Sequence, residues 1–420
     1  MINVNVLFVL LAGIVFLGYI LSELFYKLKI ASVLPLMLIG LLLGPVLHVI
    51  NTSSSSTVVK LVPYITALAV AFILFDVGMR IRISDLDLAY ASRFTFMLSF
   101  ATGLVLGFAI FISTHMNVLL SFAAGFGLAG PSVVVIPVIL RSAKINQKLK
   151  TTLNFESIVV DSVTLIVPII LIEFLVLKNV SLHSIASMIE GFFIGSTILG
   201  IVFAFFWVFL LKTFKEHSKD YSWMLTISMV IATYGVAQAV GANGAMTVFI
   251  FGLMLGNFPY LGKWLAEYTK GIGAVFEHVS QYQKEITFFV STFFFVYIGL
   301  LFQISVQDYL LLAVALGLTV LIYILRLLFL PLLEKLIEEK DKDSPERIAA
   351  RYSVARGLSP IIVATLPAAF GLYTPPAFIG VLFLSVLFTN IVTTFGMYKF
   401  AGAVSKSAGS SQKEPAKKAV

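Results

Sequence analysis

Apolar runs long enough to cross a bilayer recur along the whole chain, each closed by a short polar connector. A spanning helix needs about 20 mostly apolar residues. Thirteen segments qualify, some only if tilted or short: 4–26, 32–50, 61–79, 88–114, 118–140, 150–177, 187–211, 222–240, 244–258, 285–302, 308–334, 350–370 and 376–398. Beyond them the pattern stops. The tail KSAGSSQKEPAKKAV is polar and rich in small residues, and such a segment buries too little apolar surface to offset its ordering entropy. The expected layout is one transmembrane domain over 1–402 and a disordered basic tail over 403–420. The expected fold is an all-α polytopic membrane protein.

Composition supports this reading. The 420 residues are 59% hydrophobic and 12% charged, with mean hydropathy +1.02, whereas a soluble domain carries about a quarter charged residues. The 38 Phe suit lipid-facing helix surfaces, and the absence of Cys excludes disulfides and thiolate metal sites. The N-terminal stretch lacks a basic leader and a small-residue cleavage site, so it reads as a retained first helix.

The net charge of +8 is a topology signal and implies no nucleic-acid partner. Nearly all the Lys and Arg fall in the odd-numbered connections and the tail. The even connections hold only Lys60 and Lys178, and Arg326 and Arg356 lie inside segments. Excess Lys and Arg stay cytoplasmic. The expected orientation in the plasma membrane is therefore N-terminus outside and C-terminus inside.

Segments 2 and 9 share IGLLLGP and FGLMLGN, so Gly40 and Gly44 match Gly252 and Gly256. Segments 3 and 10 share FDVGMRI and VYIGLLF, so Gly78 matches Gly299. Segments 5 and 12 share AGPSVVVIP and GLSPIIVATLP. Each pair is seven helices apart, and an odd offset makes the second copy enter from the opposite face. These are inverted-topology repeats, approximately 32–177 and 244–400, the architecture of secondary transporters.

In such folds the site lies where Gly/Pro-interrupted segments pair across the halves. Ala129, Gly130, Pro131 and Ser132 interrupt segment 5; Gly357, Ser359 and Pro360 interrupt segment 12. Proline frees a carbonyl one turn back, and freed carbonyls can face a small cation. The alternative is a pair of simple kinks.

Three acids need an explanation, because an ionisable group at such depth costs at least ~2.5–3.5 kcal/mol. At ~1.5 Å per residue, Glu156 lies ~9 Å from the Lys150 end of segment 6 and Asp161 ~16 Å. Arg356 comes ~8 Å and Pro360 ~13 Å from the same face, and Pro131 ~15 Å. Glu156 and Arg356 thus share a level and can pair, which offsets their desolvation. Asp161 shares a deeper level with both breaks, and Ser157 precedes it by four residues on one helical face. A carboxylate beside a hydroxyl there suits a cation or a proton; a protonated, helix-linking Asp is the bland alternative. Asp76 lies only ~6 Å inside the face marked by Arg80 and Arg82. It either snorkels to those arginines or lines a funnel toward Asp161.

With these residues in view, the chain resembles the monovalent cation/proton antiporters, the NhaP-like sodium/proton exchangers, over residues 1 to about 400. The family's Glu-Ser-x-x-Asn-Asp is matched by Glu156-Ser157-Ile158-Val159-Val160-Asp161, its Arg-Gly by Arg356-Gly357, and its acid-x-Gly by Asp76-Val77-Gly78. The resemblance implies thirteen helices, a six-helix core moving against a dimer-forming panel, and homodimers. It implies that Asp161 and Ser157 bind the transported cation, with Asp76 assisting, and that Glu156 and Arg356 form a bridge. The chain departs from the pattern at Val160, where the family has Asn, and at Ala129-Gly130, where it has Thr-Asp. Ser132 or a backbone carbonyl then has to stand in for the lost ligand.

The expected activity is exchange of a monovalent cation (Na+, with K+ or Li+ as alternatives) for a proton at Asp161. One titrating core acid implies one-for-one, electroneutral exchange, with a role in pH homeostasis. Other readings are a sodium-coupled symporter of an organic anion and a transport-inactive sensor or scaffold. No nucleophile motif, Walker sequence or cofactor signature is present, so neither an enzyme nor a cofactor is expected.

Overall fold

The structure is a computed structural model. It describes residues 12–13, 16–20, 24, 33–50, 60–81, 89–132, 149, 152–153, 156–157, 161–176, 194–213, 218–258, 260, 273–302, 309–337 and 344–411. Among these there are helices and connections and no strand. Most of the first expected segment, 4–26, lies outside the described residues.

Helix α1 is Val33–Leu41, prolonged by a π-helical turn Leu42–Val46 that contains Pro45. It is followed by α2 (Val62–Arg80), α3 (Ala89–Thr114) and α4 (Val118–Gly127). Next come α5 (Asp161–Val176), α6 (Ser196–Thr213), α7 (Ser218–Ala239) and α8 (Gly244–Asn257). The chain continues with α9 (Gly273–Leu301), α10 (Tyr309–Ile337), α11 (Pro345–Tyr352), α12 (Leu358–Ala369) and α13 (Pro376–Ser411). Six of the described helices are long and apolar enough to cross a membrane.

Most boundaries follow the apolar runs, with three differences. α9 starts at Gly273, well before the apolar run at 285. Its added turns are amphipathic: Val275, Val279 and Gln283 are buried, while Glu277, His278 and Gln281 are exposed. A helix can outrun the hydrophobic slab when one face still packs. α13 extends through Ser411 into the stretch expected to be a disordered tail, and 412–420 lie outside the described residues. Segment 12 is two helices, α11 and α12, separated by the non-helical residues 353–357. Arg356 is therefore on unwound backbone and not inside a helix as its apolar surroundings suggested.

The helices sort into two bundles. α1, α2, α6, α7, α8 and α9 pack among themselves, as do α3, α4, α5, α10, α11, α12 and α13. α12 joins them by lying against α2 and α9.

The repeat glycines sit at the tightest crossings of the first bundle. A methyl group built on Gly40 would strike the carbonyl oxygen of Val296, and one on Gly44 that of Leu300. On Gly252 it would strike the carbonyl of Phe75, and on Gly256 that of Met79. Phe75 and Val296 both stand three residues before their repeat glycines, Gly78 and Gly299; Met79 and Leu300 both stand one after. The reciprocal contacts agree: Gly299 meets the Met37 carbonyl and Gly78 that of Phe249, each three residues before a matching glycine. So the α1–α9 and α8–α2 crossings are the same interface built twice, with the repeats exchanged. Absent side chains let these backbones approach closely, the usual means of helix association in lipid.

Gly40→Ala and Gly252→Ala should each lower stability by about 1–3 kcal/mol through overpacking, and by similar amounts. Gly235→Ala, with open space around it, should be neutral or slightly stabilising. Thermal melts in detergent check this; unequal losses at the two crossings would contradict their equivalence.

Candidate functional site

The site is built where two stretches of backbone leave the helical path. α4 ends at Gly127, and residues 128–132 continue without helix. On the other side, 353–357 separate α11 from α12. The two stretches cross: the Ser132 N–H donates to the Ala355 carbonyl at 2.8 Å. A side chain at Gly357 would run into the Ser132 hydroxyl, so glycine there permits the crossing. Ala129, Gly130, Pro131 and Ser132 are buried on the first stretch; Ser359 and Pro360, expected to interrupt segment 12, are instead buried in the first turn of α12, just past the break.

Unwound backbone inside lipid must find partners. The Arg356 N–H donates to Thr389 Oγ1 at 3.3 Å, and Asn390 Nδ2 donates to the Arg356 carbonyl at 2.7 Å and to Val386 O at 2.8 Å. Thr389 and Asn390 thus serve from α13 as backbone substitutes. The sequence reading passed over both. Their signal was available: FTNIVTT places several polar groups inside an otherwise apolar run.

Glu156 and Ser157 lie in a short π-helical turn ahead of α5, and both are buried. Such turns recur at functional sites. Glu156 was expected to pair with Arg356. The structure gives its carboxylate a contact from a different helix: Arg326 Nη1 of α10 reaches Glu156 Oε1 at 2.5 Å. Arg326 Nε also donates to the Ala350 carbonyl at 2.8 Å. Arg356 lines the same cavity as Glu156 and Arg326, beside Ala129, Ser99 and Thr102. The cavity measures about 20 Å³, room for roughly one water. Sequence depth alone matched Glu156 to Arg356 because both were referred to the same face. Arg326 arrives from segment 11, and only packing reveals that its guanidinium reaches the carboxylate.

Asp161 is the first residue of α5, and its side chain lies outside the described residues. Its backbone position puts the start of α5 just past the buried Ser157. Asp76, near the end of α2, is 5% exposed. Arg80 Nη2 meets its Oδ2 at 2.6 Å, with the Arg80 side chain 40% exposed. Thr287 and Lys284 of α9 also face the carboxylate, and Gln283 bridges Phe72 O and Thr287 Oγ1 at 3.2 Å each. Asp76 is thus held by an arginine yet buried in protein, combining a feature of each expected role. Arg82 lies outside the described residues.

Crossing backbones, a buried acid–arginine cluster and a small polar cavity can hold a desolvated charge. Removing one partner of a buried ion pair strands the other. Arg326→Met should therefore destabilise the protein by about 3–5 kcal/mol, and adding Glu156→Gln should recover much of that loss. Chemical denaturation in detergent tests this; an Arg326→Met protein as stable as the parent would remove the pair from the account.

Comparisons with known proteins agree with the geometry. Residues 12–399 match the family described as sodium/hydrogen exchanger, transmembrane. A K(+)/H(+) antiporter, NhaP2, of Shewanella sp. (strain MR-4) is 27% identical over 206 residues, 47% of this chain and 35% of that protein. The NhaP2 of Shewanella oneidensis is 26% identical over 202 residues, 46% of this chain and 34% of the relative. The matches therefore span about a third of those relatives' length. The sodium proton antiporter MjNhaP1 from Methanocaldococcus jannaschii, in a structure at pH 8, superposes with a TM-score of 0.68 at 20% identity, covering 92% of this chain and 98% of that one. An electron-microscopy structure of the same antiporter gives 0.69, covering 97% and 98%. This likeness is one of fold. With a family match running nearly from end to end, the chain belongs to the sodium/hydrogen exchanger family.

Proposed function

We propose that the protein exchanges one monovalent cation for one proton across the plasma membrane by alternating access, with Asp161 as the shared binding group. The observation that carries this reading is the crossing of two interrupted helices, tied by Ser132 N–H to Ala355 O and flanked by buried Ser157 and Glu156. The family is one of transporters, so the reading is of a carrier and not of an enzyme.

In this mechanism the Asp161 carboxylate is neutralised either by a proton or by a cation, and each guest excludes the other. The neutral site can cross the low-dielectric barrier; the empty, ionised site cannot do so cheaply. That difference couples the two fluxes. Ser157 and Ser132 supply neutral oxygens, the backbone at Ala129 and Gly130 supplies carbonyls and amides, and Ser359 offers a first-turn amide of α12. Glu156, Arg326 and Arg356 brace the crossing. Arginine stays charged throughout and carries no proton across, which favours one-for-one exchange. Asp76 assists at the Arg80 end of the path.

Sodium and potassium are both supported as the cation. MjNhaP1 is a sodium antiporter and the Shewanella relatives are potassium antiporters. Ala129 and Gly130 offer no side-chain ligand at the break, which loosens the demand for a small ion. The distribution of Lys and Arg supports an outside N-terminus and a cytoplasmic C-terminus. The family resemblance supports a homodimer, with lipid as the surrounding partner and no resident cofactor.

Reconstituted protein should show proton flux driven by sodium, lithium or potassium gradients, and the order of the three assigns the cation. Asp161→Asn should abolish that flux without loss of folded protein; retained exchange refutes the assignment. Acidifying the medium should raise the half-saturating cation concentration, since protons compete for the same carboxylate.

A further inference from the structure

A second polar cavity lies toward the end of the molecule marked by Lys60, away from Arg80. It measures about 20 Å³, and its walls include Thr66 of α2, Tyr234 and Gln238 of α7, Asn243 at the start of α8, Ile169 of α5 and Phe370 beyond α12. These elements belong to both bundles, so the cavity sits on the seam between them. Ile169 lies eight residues past Asp161 along α5, ~12 Å at helical rise. The cavity is thus displaced from the crossing toward the Lys60 face, where a solute leaving between the bundles would pass.

Its polar groups exceed what packing requires. Thr66 is fully buried, and its hydroxyl has no hydrogen-bond partner among the described residues. A buried hydroxyl without a partner carries a desolvation penalty, and a cavity of this size admits a water or a small cation. Asn243 is fully committed. Its Oδ1 caps α8 by accepting from Met246 N–H at 2.8 Å, and its backbone N–H donates to Ser196 Oγ at 3.0 Å. Its Nδ2 donates to Glu173 Oε2 at 3.3 Å. Glu173 is half-buried on α5, ~18 Å past Asp161 by helical rise. Helix capping by Asn243 has no need of that carboxylate. Near the far end of α5, a half-buried carboxylate that meets a neutral amide keeps charge that water or a cation can meet.

We propose that Glu173 and this cavity form the access station of the transport path at the Lys60 face. Glu173 captures a monovalent cation at the mouth, and the Thr66 hydroxyl offers the next oxygen on the way to the crossing. This rests on the exchanger reading, and adds a binding position that the crossing does not require. Asn243 is a positioning residue: its amide aims the carboxylate across the seam and is free to release it when the bundles move.

The test uses the full chain in oriented vesicles, with the half-saturating sodium or potassium concentration measured separately at each face. Glu173→Gln should raise it at the Lys60 face, up to about tenfold from lost charge focusing, and leave it unchanged at the Arg80 face. Glu173→Asp should restore it. Thr66→Val, which keeps the shape, should weaken the same face only. Because the chain has no Cys, Thr66→Cys gives a single thiol without background. It should react with a membrane-impermeant maleimide from the Lys60 face, more slowly with sodium or potassium present. Equal shifts at both faces, no shift in Glu173→Gln, or labelling from the Arg80 face alone overturns the proposal. If Asp161→Asn still abolishes exchange in that case, the exchanger reading stands and only the access station falls.

Discussion

Everything in this molecule depends on two pieces of unwound backbone meeting where lipid forbids unpaired amides. A helix satisfies its own hydrogen bonds; residues 128–132 and 353–357 do so only in part. The direct bond from Ser132 to Ala355 joins the two stretches, and Thr389 and Asn390 of α13 supply side-chain partners to Arg356. Each buried peptide group left without a partner would cost several kcal/mol in such surroundings. The crossing therefore fixes where α4, α11, α12 and α13 can lie. It also leaves polar backbone at a depth where nothing else in the sequence would place it.

Close approach elsewhere makes room for this arrangement. The α1–α9 and α2–α8 crossings use glycines in the same register, meeting equivalent carbonyls. These close approaches bring the helices of the first bundle backbone to backbone at both crossings. The second bundle gathers around the crossing and the Glu156–Arg326 contact. The two meet through α12, so a shift of one bundle past the other leaves most helix contacts intact. Rigid bodies hinged at a shared site are the usual working parts of carriers with inverted repeats.

Charge is concentrated at a few points, each with a distinct environment. Glu156 and Arg326 are buried together at 2.5 Å, a contact that holds helices in place. Asp76 is buried but tethered to an arginine that reaches solvent, so its charge is compensated by a group able to swing away. Among the described residues, Glu173 has a neutral amide against it. A tightly compensated pair suits bracing, while a loosely compensated acid suits a mobile guest. The neighbours that distinguish these roles come from other helices in each case except Arg80.

Hydrophobic periodicity alone determined the all-α membrane class and most helix limits, because insertion in lipid is decided segment by segment. The repeat glycines were also legible, and so was an interruption in each of segments 5 and 12, although in segment 12 the unwound residues are 353–357 and Pro360 falls in the first turn of α12. Partner choice was not legible. Depth pointed to Arg356 as a mate for Glu156 and gave no sign that Arg326 reaches the same carboxylate, and the roles of Asn390, Thr389, Asn243 and Glu173 depend on neighbours far away in the chain. Tertiary structure settled those contacts because a hydrogen bond reaches about 3 Å, whereas sequence position fixes a side chain's height along its helix and leaves open which neighbour it faces.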